Sequence, residues 1–232
     1  EVDFLVKNYG IKNIKIMDEL FTLRQEHTEK ICDLLIERNY NLNIWAYGRV
    51  NTVNENMLRK MKQAGINWVA YGFESVSESI RQGVSKRFSQ QEMASAIEMT
   101  RAAGINIIAN VMFGLPDDSL ETMQDTLEWA KDFNFEWFNA YVMMPYPGSQ
   151  LYEEAVKQGV NLPNEWADWG QYSPGLRPLA TKSLTSEEIV QFRDKAFVEY
   201  FSRPEYLNMI KQKFGLEARE HIEEMLKVRI GR

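Results

Sequence analysis

Gly104-Ile105-Asn106-Ile107-Ile108-Ala109-Asn110-Val111-Met112-Phe113-Gly114-Leu115-Pro116-Asp117-Asp118 is the stretch on which the fold turns. A glycine able to stop a helix precedes a near-continuous apolar run, and a Gly-Leu-Pro turn then delivers two carboxylates to the mouth of another helix. An apolar run bounded by Gly and Pro reads as a strand covered on both faces, as in a parallel sheet lying between helices. Function in such folds gathers at the C-terminal ends of strands, so the residues from Phe113 to Asp118 are the first place to expect a site.

The same helix-to-strand junction recurs along the chain. Tyr9-Gly10-Ile11-Lys12-Asn13, Gln63-Ala64-Gly65-Ile66-Asn67 and Ala102-Ala103-Gly104-Ile105-Asn106 share it, the last two 39 residues apart, and Asn39 to Asn43 makes the transition without glycine. Strands are expected near 13–17, 42–48, 67–73, 106–112 and 136–143, with helices between them. Thr52 with Glu55, Ser89 with Glu92, and Asp118 with Glu121 read as N-caps with a carboxylate three residues on. Met57/Leu58/Met61, Met93/Ala96/Ile97/Thr100 and Leu120/Met123/Leu127/Ala130 keep one helix face apolar. Strands alternating with helices define an α/β fold with a parallel sheet.

Residues 2–9 read as the end of a helix with no strand before them, so an upstream strand is expected and the chain reads as a fragment. Residues 161–183 hold three prolines and are expected to cross the fold irregularly. A helix then starts at Thr185-Ser186-Glu187-Glu188, and two more follow near 204–213 and 216–229. The expected division is 1–160 for the α/β part and 161–232 for the crossing segment and helical tail, with no linker that would free the tail.

Composition narrows the function. A chain of 232 residues, 44% hydrophobic, can bury one sizeable core. A net charge of -6 argues against bulk nucleic-acid binding, which needs a basic surface. No apolar run reaches the roughly 18 residues of a membrane span, and no secretory leader is visible, so the cytoplasm is the default compartment. The single cysteine, Cys32, lies in a helical pattern and reads as a buried, inert thiol, and one cysteine excludes a cysteine-built metal site within these residues. His27 and His221 are too far apart in sequence to imply a metal site.

Polar residues gather where the expected strands end: Asp18 and Glu19; Tyr47 and Arg49; Glu74 and Ser75; Asn110 and the turn from Gly114 to Asp118; Tyr141 with Pro145, Tyr146, Pro147 and Gly148. Carboxylates at such a rim can take an ammonium or ribose hydroxyls, and Arg49, Lys86 or Arg87 can take a carboxylate. The competing reading makes them helix caps and surface ion pairs, and Asp117 and Asp118 in particular suit the first turn of a helix. Gly83-Val84-Ser85-Lys86 before Ser89 leaves a phosphate site as a weaker alternative. Dinucleotide, Walker, nucleophile-elbow and zinc-protease motifs are missing from the sequence.

Five stretches, in order, resemble the radical S-adenosylmethionine (radical SAM) enzymes, and within them the branch with an upstream cobalamin-binding domain. They are Ile16-Met17-Asp18-Glu19-Leu20-Phe21-Thr22, Gly48-Arg49-Val50-Asn51, Ala70-Tyr71-Gly72-Phe73-Glu74-Ser75, Met112-Phe113-Gly114-Leu115-Pro116, and Pro145-Tyr146-Pro147-Gly148-Ser149-Gln150-Leu151-Tyr152. The resemblance implies a partial TIM-type (β/α)6 barrel lacking its first strand, with a C-terminal α-helical tail. It implies S-adenosylmethionine and a 4Fe-4S cluster as cofactors, an electron donor, reductive cleavage of S-adenosylmethionine to start radical chemistry on an unknown substrate, and methyl transfer where cobalamin takes part. By the same resemblance Asp18 and Glu19 meet the methionyl amino group, Glu74 and Ser75 lie near the ribose, and Lys86 or Arg87 pairs with the methionyl carboxylate. Gly114 and the backbone of Met144, Pro145 and Tyr146 line the adenine side. The family's three-cysteine loop has no counterpart here, so the chain alone is expected to be inactive and the chemistry to belong to a longer parent. A cluster-free α/β binding or scaffold domain is the alternative from another class.

Overall fold

The computed structural model describes residues 1–83 and 88–228. Helix α1 (Val2–Tyr9) leads into β1 (Asn13–Lys15), and α2 (Gln25–Arg38), β2 (Asn43–Gly48), α3 (Glu55–Gln63) and β3 (Ile66–Glu74) follow. Then come α4 (Glu78–Gly83), α5 (Gln90–Ala102), β4 (Asn106–Phe113), α6 (Leu120–Phe133), β5 (Trp137–Val142) and α7 (Gln150–Lys157). A 3-10 turn (Trp166–Trp169) precedes α8 (Ser186–Phe201), α9 (Pro204–Phe214) and α10 (Leu216–Met225). The strands form one sheet in the order β1-β2-β3-β4-β5, and β1–β2 and β2–β3 pair in parallel. The chain falls into two compact units, Glu1–Phe73 with Phe88–Asn110, and Glu74–Arg87 with Val111–Arg232.

In the first unit the repeated junction has a physical basis. Gly10, Gly65 and Gly104 all take positive φ, and Asn39 does the same at the junction without glycine. At Gly65 a Cβ would stand 2.5 Å from the carbonyl oxygen of Leu42, so no side chain fits. Asparagines at the starts of β1, β2 and β3 link those strands. The Asn43 amide donates to Asn13 at 2.9 Å, Asn67 donates to Asn43 at 3.2 Å, and Lys62 closes the row on Asn67 at 2.7 Å. Strand residues Ile44, Ala46, Ile66, Val69 and Tyr71 and helix residues Met57, Leu58, Met61, Met93, Ala96 and Ile97 make the core. The Tyr71 hydroxyl and the Thr100 hydroxyl, 2.8 Å apart, satisfy each other inside it.

Two expected caps are corrected. Asn54, not Thr52, caps α3 by accepting the Met57 N–H at 3.0 Å, because the Thr52 hydroxyl is bonded to the carbonyl of Arg49 and to Thr22. Ser119, not Asp118, caps α6 in a capping box with Thr122. Ser89 with Glu92 and Thr185 with Glu188 form the capping boxes that the spacing implied.

In the second unit the C-terminal helices are anchored on β5 and its entry. Tyr200 donates its hydroxyl to the carbonyl of Phe135 at 2.9 Å, and Tyr206 donates to the carbonyl of Glu136 at 3.1 Å. Arg203 donates to the carbonyl of Lys131 and to the Asn134 side chain, both at 2.8 Å, so it ties off the end of α6. The buried carboxylate of Glu136 pairs with Lys213. Phe138 stacks on Tyr200 with centroids 4.4 Å apart, and Trp137 and Tyr206 pack on Phe201 at 5.2 and 5.1 Å.

Candidate functional site

The candidate residues fall on strand ends in each unit. In the first unit, the turn after β1 holds Asp18 and Glu19, both exposed. The Asp18 carboxylate accepts the N–H of Leu20 at 3.0 Å, which shapes the turn. Arg49 follows β2. Its backbone is held by two threonines: its N–H donates to Thr22 at 3.3 Å and its carbonyl accepts the Thr52 hydroxyl at 2.9 Å. The Thr22 and Thr52 hydroxyls meet at 2.7 Å, and Thr22 is buried. With its backbone fixed, Arg49 has a buried Nε–H without an acceptor among the described residues. A donor in that state is suited to a ligand carboxylate. Asn110 is half-buried on β4.

In the second unit, β3 ends at Glu74, which takes the left-handed region at φ 62°. For a residue with a Cβ that conformation costs about 1–2 kcal/mol, and it turns the chain sharply at the strand end. Arg81 of α4 holds the turn. Fully buried, it donates from Nη1 to the carbonyls of Ser75 and Val76, each at 2.7 Å, and burial lowers its pKa. The Ser75 hydroxyl, also buried, meets the Thr126 hydroxyl at 3.2 Å and accepts the Ser77 N–H at 3.2 Å. Ser75 is therefore committed to the turn, while Glu74 is half-buried at its head. Lys86, Arg87 and most of the suggested phosphate loop lie outside the described residues.

The Gly114–Asp118 turn is self-supporting. Asp118 is 2% exposed, and its carboxylate accepts the Leu115 N–H at 2.9 Å and the Thr122 hydroxyl at 2.7 Å. Burial raises its pKa, and these hydrogen bonds, with one from the Gly114 N–H, oppose the rise. Thr181 donates to the Asp118 carbonyl at 3.0 Å, and Lys182 pairs with exposed Asp117 at 2.6 Å. Gly114 has φ 76°, and a Cβ there would lie 2.8 Å from Ile189 of α8. Its lack of a side chain is thus required by helix packing.

Beyond β5, Met144 and Pro145 are buried and Tyr146 is 44% exposed. Gln171 organises this end. Its amide accepts the Val142 N–H at 2.9 Å and donates to the Val142 carbonyl at 3.0 Å, as a neighbouring strand would, and it also donates to the Tyr146 hydroxyl at 3.1 Å. Arg193, 1% exposed on α8, donates to the Gln171 carbonyl at 2.8 Å. The sequence reading missed Thr22, Arg81, Thr126, Gln171 and Arg193. Their hydrogen-bond partners lie up to 51 residues away, and no local pattern marks them.

A cluster ligand set is not formed by these residues. Cys32, fully buried on α2, has its thiol pushed up to about 12 by burial, whereas metal binding needs thiolates. Among the described residues no three His, Cys, Asp or Glu side chains are placed to hold a metal ion. No helix of the described residues is long and apolar enough to cross a membrane.

The chain belongs to the radical SAM superfamily, whose family model matches residues 1–130. It is 28% identical over 207 residues to the "uncharacterized methyltransferase PH0819" of Pyrococcus horikoshii, covering 89% of this chain and 44% of the relative. It is 25% identical over 205 residues to the bacteriochlorophyllide d C-8(2)-methyltransferase of Chlorobaculum tepidum, covering 87% of this chain and 42% of that protein. Among solved structures it resembles the radical S-adenosylmethionine methyltransferase TsrM from Kitasatospora setae with cobalamin and a 4Fe-4S cluster bound. The TM-score is 0.64 at 16% identity, over 97% of this chain and 54% of TsrM. The chain thus spans about half or less of the length of these proteins. The structural likeness shows the fold, a partial α/β barrel of parallel strands with C-terminal helices. S-adenosylmethionine and a 4Fe-4S cluster are the cofactors that membership of the superfamily implies.

Proposed function

We propose that this chain forms the S-adenosylmethionine-binding wall of a radical SAM enzyme, in the branch with an upstream cobalamin domain, and that the whole protein transfers a methyl group to a substrate still to be identified. The observation that carries the reading is the family match over residues 1–130, which takes in Asp18, Arg49 and the left-handed Glu74 at the end of β3. The methyltransferase relative and the fold shared with cobalamin-bound TsrM support the branch. When bound, S-adenosylmethionine supplies a methyl group or a carbon radical.

In this reading Asp18 and Glu19 take the ammonium of the cofactor, and Arg49, with Lys86 or Arg87, takes its carboxylate. Glu74 accepts from the ribose hydroxyls, and the buried Arg81 and Ser75 keep Glu74 in place. Asn110, Gly114 and the backbone of Met144, Pro145 and Tyr146 lie on the adenine side. The residues described do not fit a cluster, so in this reading its ligands come from elsewhere in the enzyme, and the electron donor is a separate partner.

Calorimetric titration with S-adenosylmethionine tests the reading, on this chain and on the longer protein reconstituted with iron and sulfide. The chain alone should acquire no iron-sulfur absorbance. The longer protein should bind the cofactor, with Glu74→Gln weakening it about tenfold or more. Failure of both proteins to bind S-adenosylmethionine rejects the proposal.

A further inference from the structure

One face of the β1–β2 pair combines aromatic rings with donors. Lys15 pairs in register with Trp45. Its ammonium lies 4.1 Å from the Trp45 ring centroid and 5.2 Å from that of Tyr47, and the two rings are 5.6 Å apart. Strand alternation sets these side chains opposite Ile14, Ile16 and Ile44, which line a cavity on the helix side with Val2, Phe21 and Leu35. The Lys15–Trp45–Tyr47 face is therefore not the face that packs on α1 and α2. Lys15 is exposed and the two rings are half-buried.

Two features of this face are unmet within the chain. The indole Nε1–H of Trp45 is buried without an acceptor among the described residues. A buried donor in that state carries an uncompensated desolvation cost. Lys15 forms no ion pair among the described residues, so its ammonium rests on ring faces alone, in a chain whose net charge is -6. Asp18 does not serve it, because that residue lines the helix-side cavity, and Glu19 stands beyond the strand in the exposed turn.

We infer that this face binds a planar anionic ligand, an aromatic or conjugated carboxylate, with its plane against the Tyr47 ring, which is tilted 46° from Trp45, and its carboxylate on the Lys15 ammonium and the in-plane Trp45 indole N–H. The two requirements reinforce each other. A cation resting on a ring gains less than a charge-assisted hydrogen bond to a carboxylate, so an arriving carboxylate draws the ammonium off the rings and frees the Tyr47 face for stacking. A neutral planar molecule must displace the ammonium without offering it a counter-charge. An anion without a flat surface gains no stacking. Calling the ligand the substrate rests on the proposed function; the binding itself needs neither cluster nor S-adenosylmethionine.

The test uses pyrene-1-carboxylate, pyrene-1-methanol and cyclohexanecarboxylate, titrated into the 232-residue chain by calorimetry. Pyrene-1-carboxylate should bind about tenfold or more tightly than either of the others. Lys15→Met should abolish that preference, weakening the carboxylate and no longer obliging pyrene-1-methanol to displace an ammonium, and Trp45→Phe, which keeps a ring and removes the N–H, should weaken the carboxylate severalfold. Saturating S-adenosylmethionine should not compete. Equal binding of the three probes, a preference that survives Lys15→Met, or no binding of pyrene-1-carboxylate at about 1 mM overturns the inference. Binding as described in a protein that fails to bind S-adenosylmethionine would keep this site and reject the enzyme reading.

Discussion

Glu74 holds a strained conformation at a strand end, which the proposed function explains by a role in cofactor binding. Its φ of 62° is a conformation that glycine adopts freely, and a neighbouring buried arginine holds the turn in which it occurs. Glu74→Gly should relieve the strain and, after the extra chain entropy of glycine is deducted, raise stability by up to about 1 kcal/mol in urea titration while weakening S-adenosylmethionine binding. A variant that loses stability shows that the side chain serves the fold instead. Cys32 behaves in the opposite sense. Burial raises its thiol from the ordinary 9.0 to about 12. Between those values the folded chain keeps a proton that the unfolded chain has lost, so stability present below the unfolded value declines as pH rises toward the folded one. Cys32→Ala should flatten that alkaline decline, and iodoacetamide at about pH 8 should label the thiol only after unfolding. Rapid labelling of the native chain contradicts this. The resemblance implies that Gly114 lies against a cofactor; the duty the structure gives it is clearance for Ile189.

At the scale of elements, β5 is last in the sheet order of the described residues, and the Gln171 side chain occupies the hydrogen-bonding positions that a neighbouring strand would take. Gln171→Leu leaves a backbone N–H and a carbonyl of Val142 without these partners and should cost about 1–3 kcal/mol. Amide exchange at Val142 should accelerate, and the Tyr146 ring should lose its fixed position. Unchanged exchange at Val142 argues that water replaces the glutamine at no cost. The elements themselves were largely legible: all five strands lie within a residue or two of their expected positions, because an apolar run after a left-handed glycine or asparagine allows few alternatives. Caps were legible where side chain and backbone were three residues apart, as at Ser89 and Thr185. They were misread where a longer-range partner took the side chain, as Thr22 takes Thr52. The short helix α4 was not foreseen, and Arg81, the residue that gives it a role, bonds to carbonyls whose position no local pattern reveals.

For the whole molecule, the helices after residue 183 are part of the second unit's core. Tyr200, Phe201 and Tyr206 cover Phe138 and Trp137, and Arg203 closes the end of α6. Removing residues 184–232 should uncover that aromatic surface, causing strong binding of a hydrophobic dye and loss of the cooperative thermal transition. A truncated chain that melts cooperatively and stays dye-silent shows the tail to be dispensable. By itself the sequence determined the α/β class, the strand positions and the superfamily, since these rest on local periodicity and on motifs that survive as short strings. It also marked the rim residues, because strand ends can be counted along the chain. Only the tertiary structure decided which of them are committed to the fold: Ser75 to Thr126, Asp118 to its own turn, Gly114 to Ile189. It also disclosed the Lys15–Trp45 contact between β1 and β2. Those distinctions depend on contacts between residues distant in sequence, and a hydroxyl or carboxylate looks the same in the string whether it faces a ligand or a neighbour.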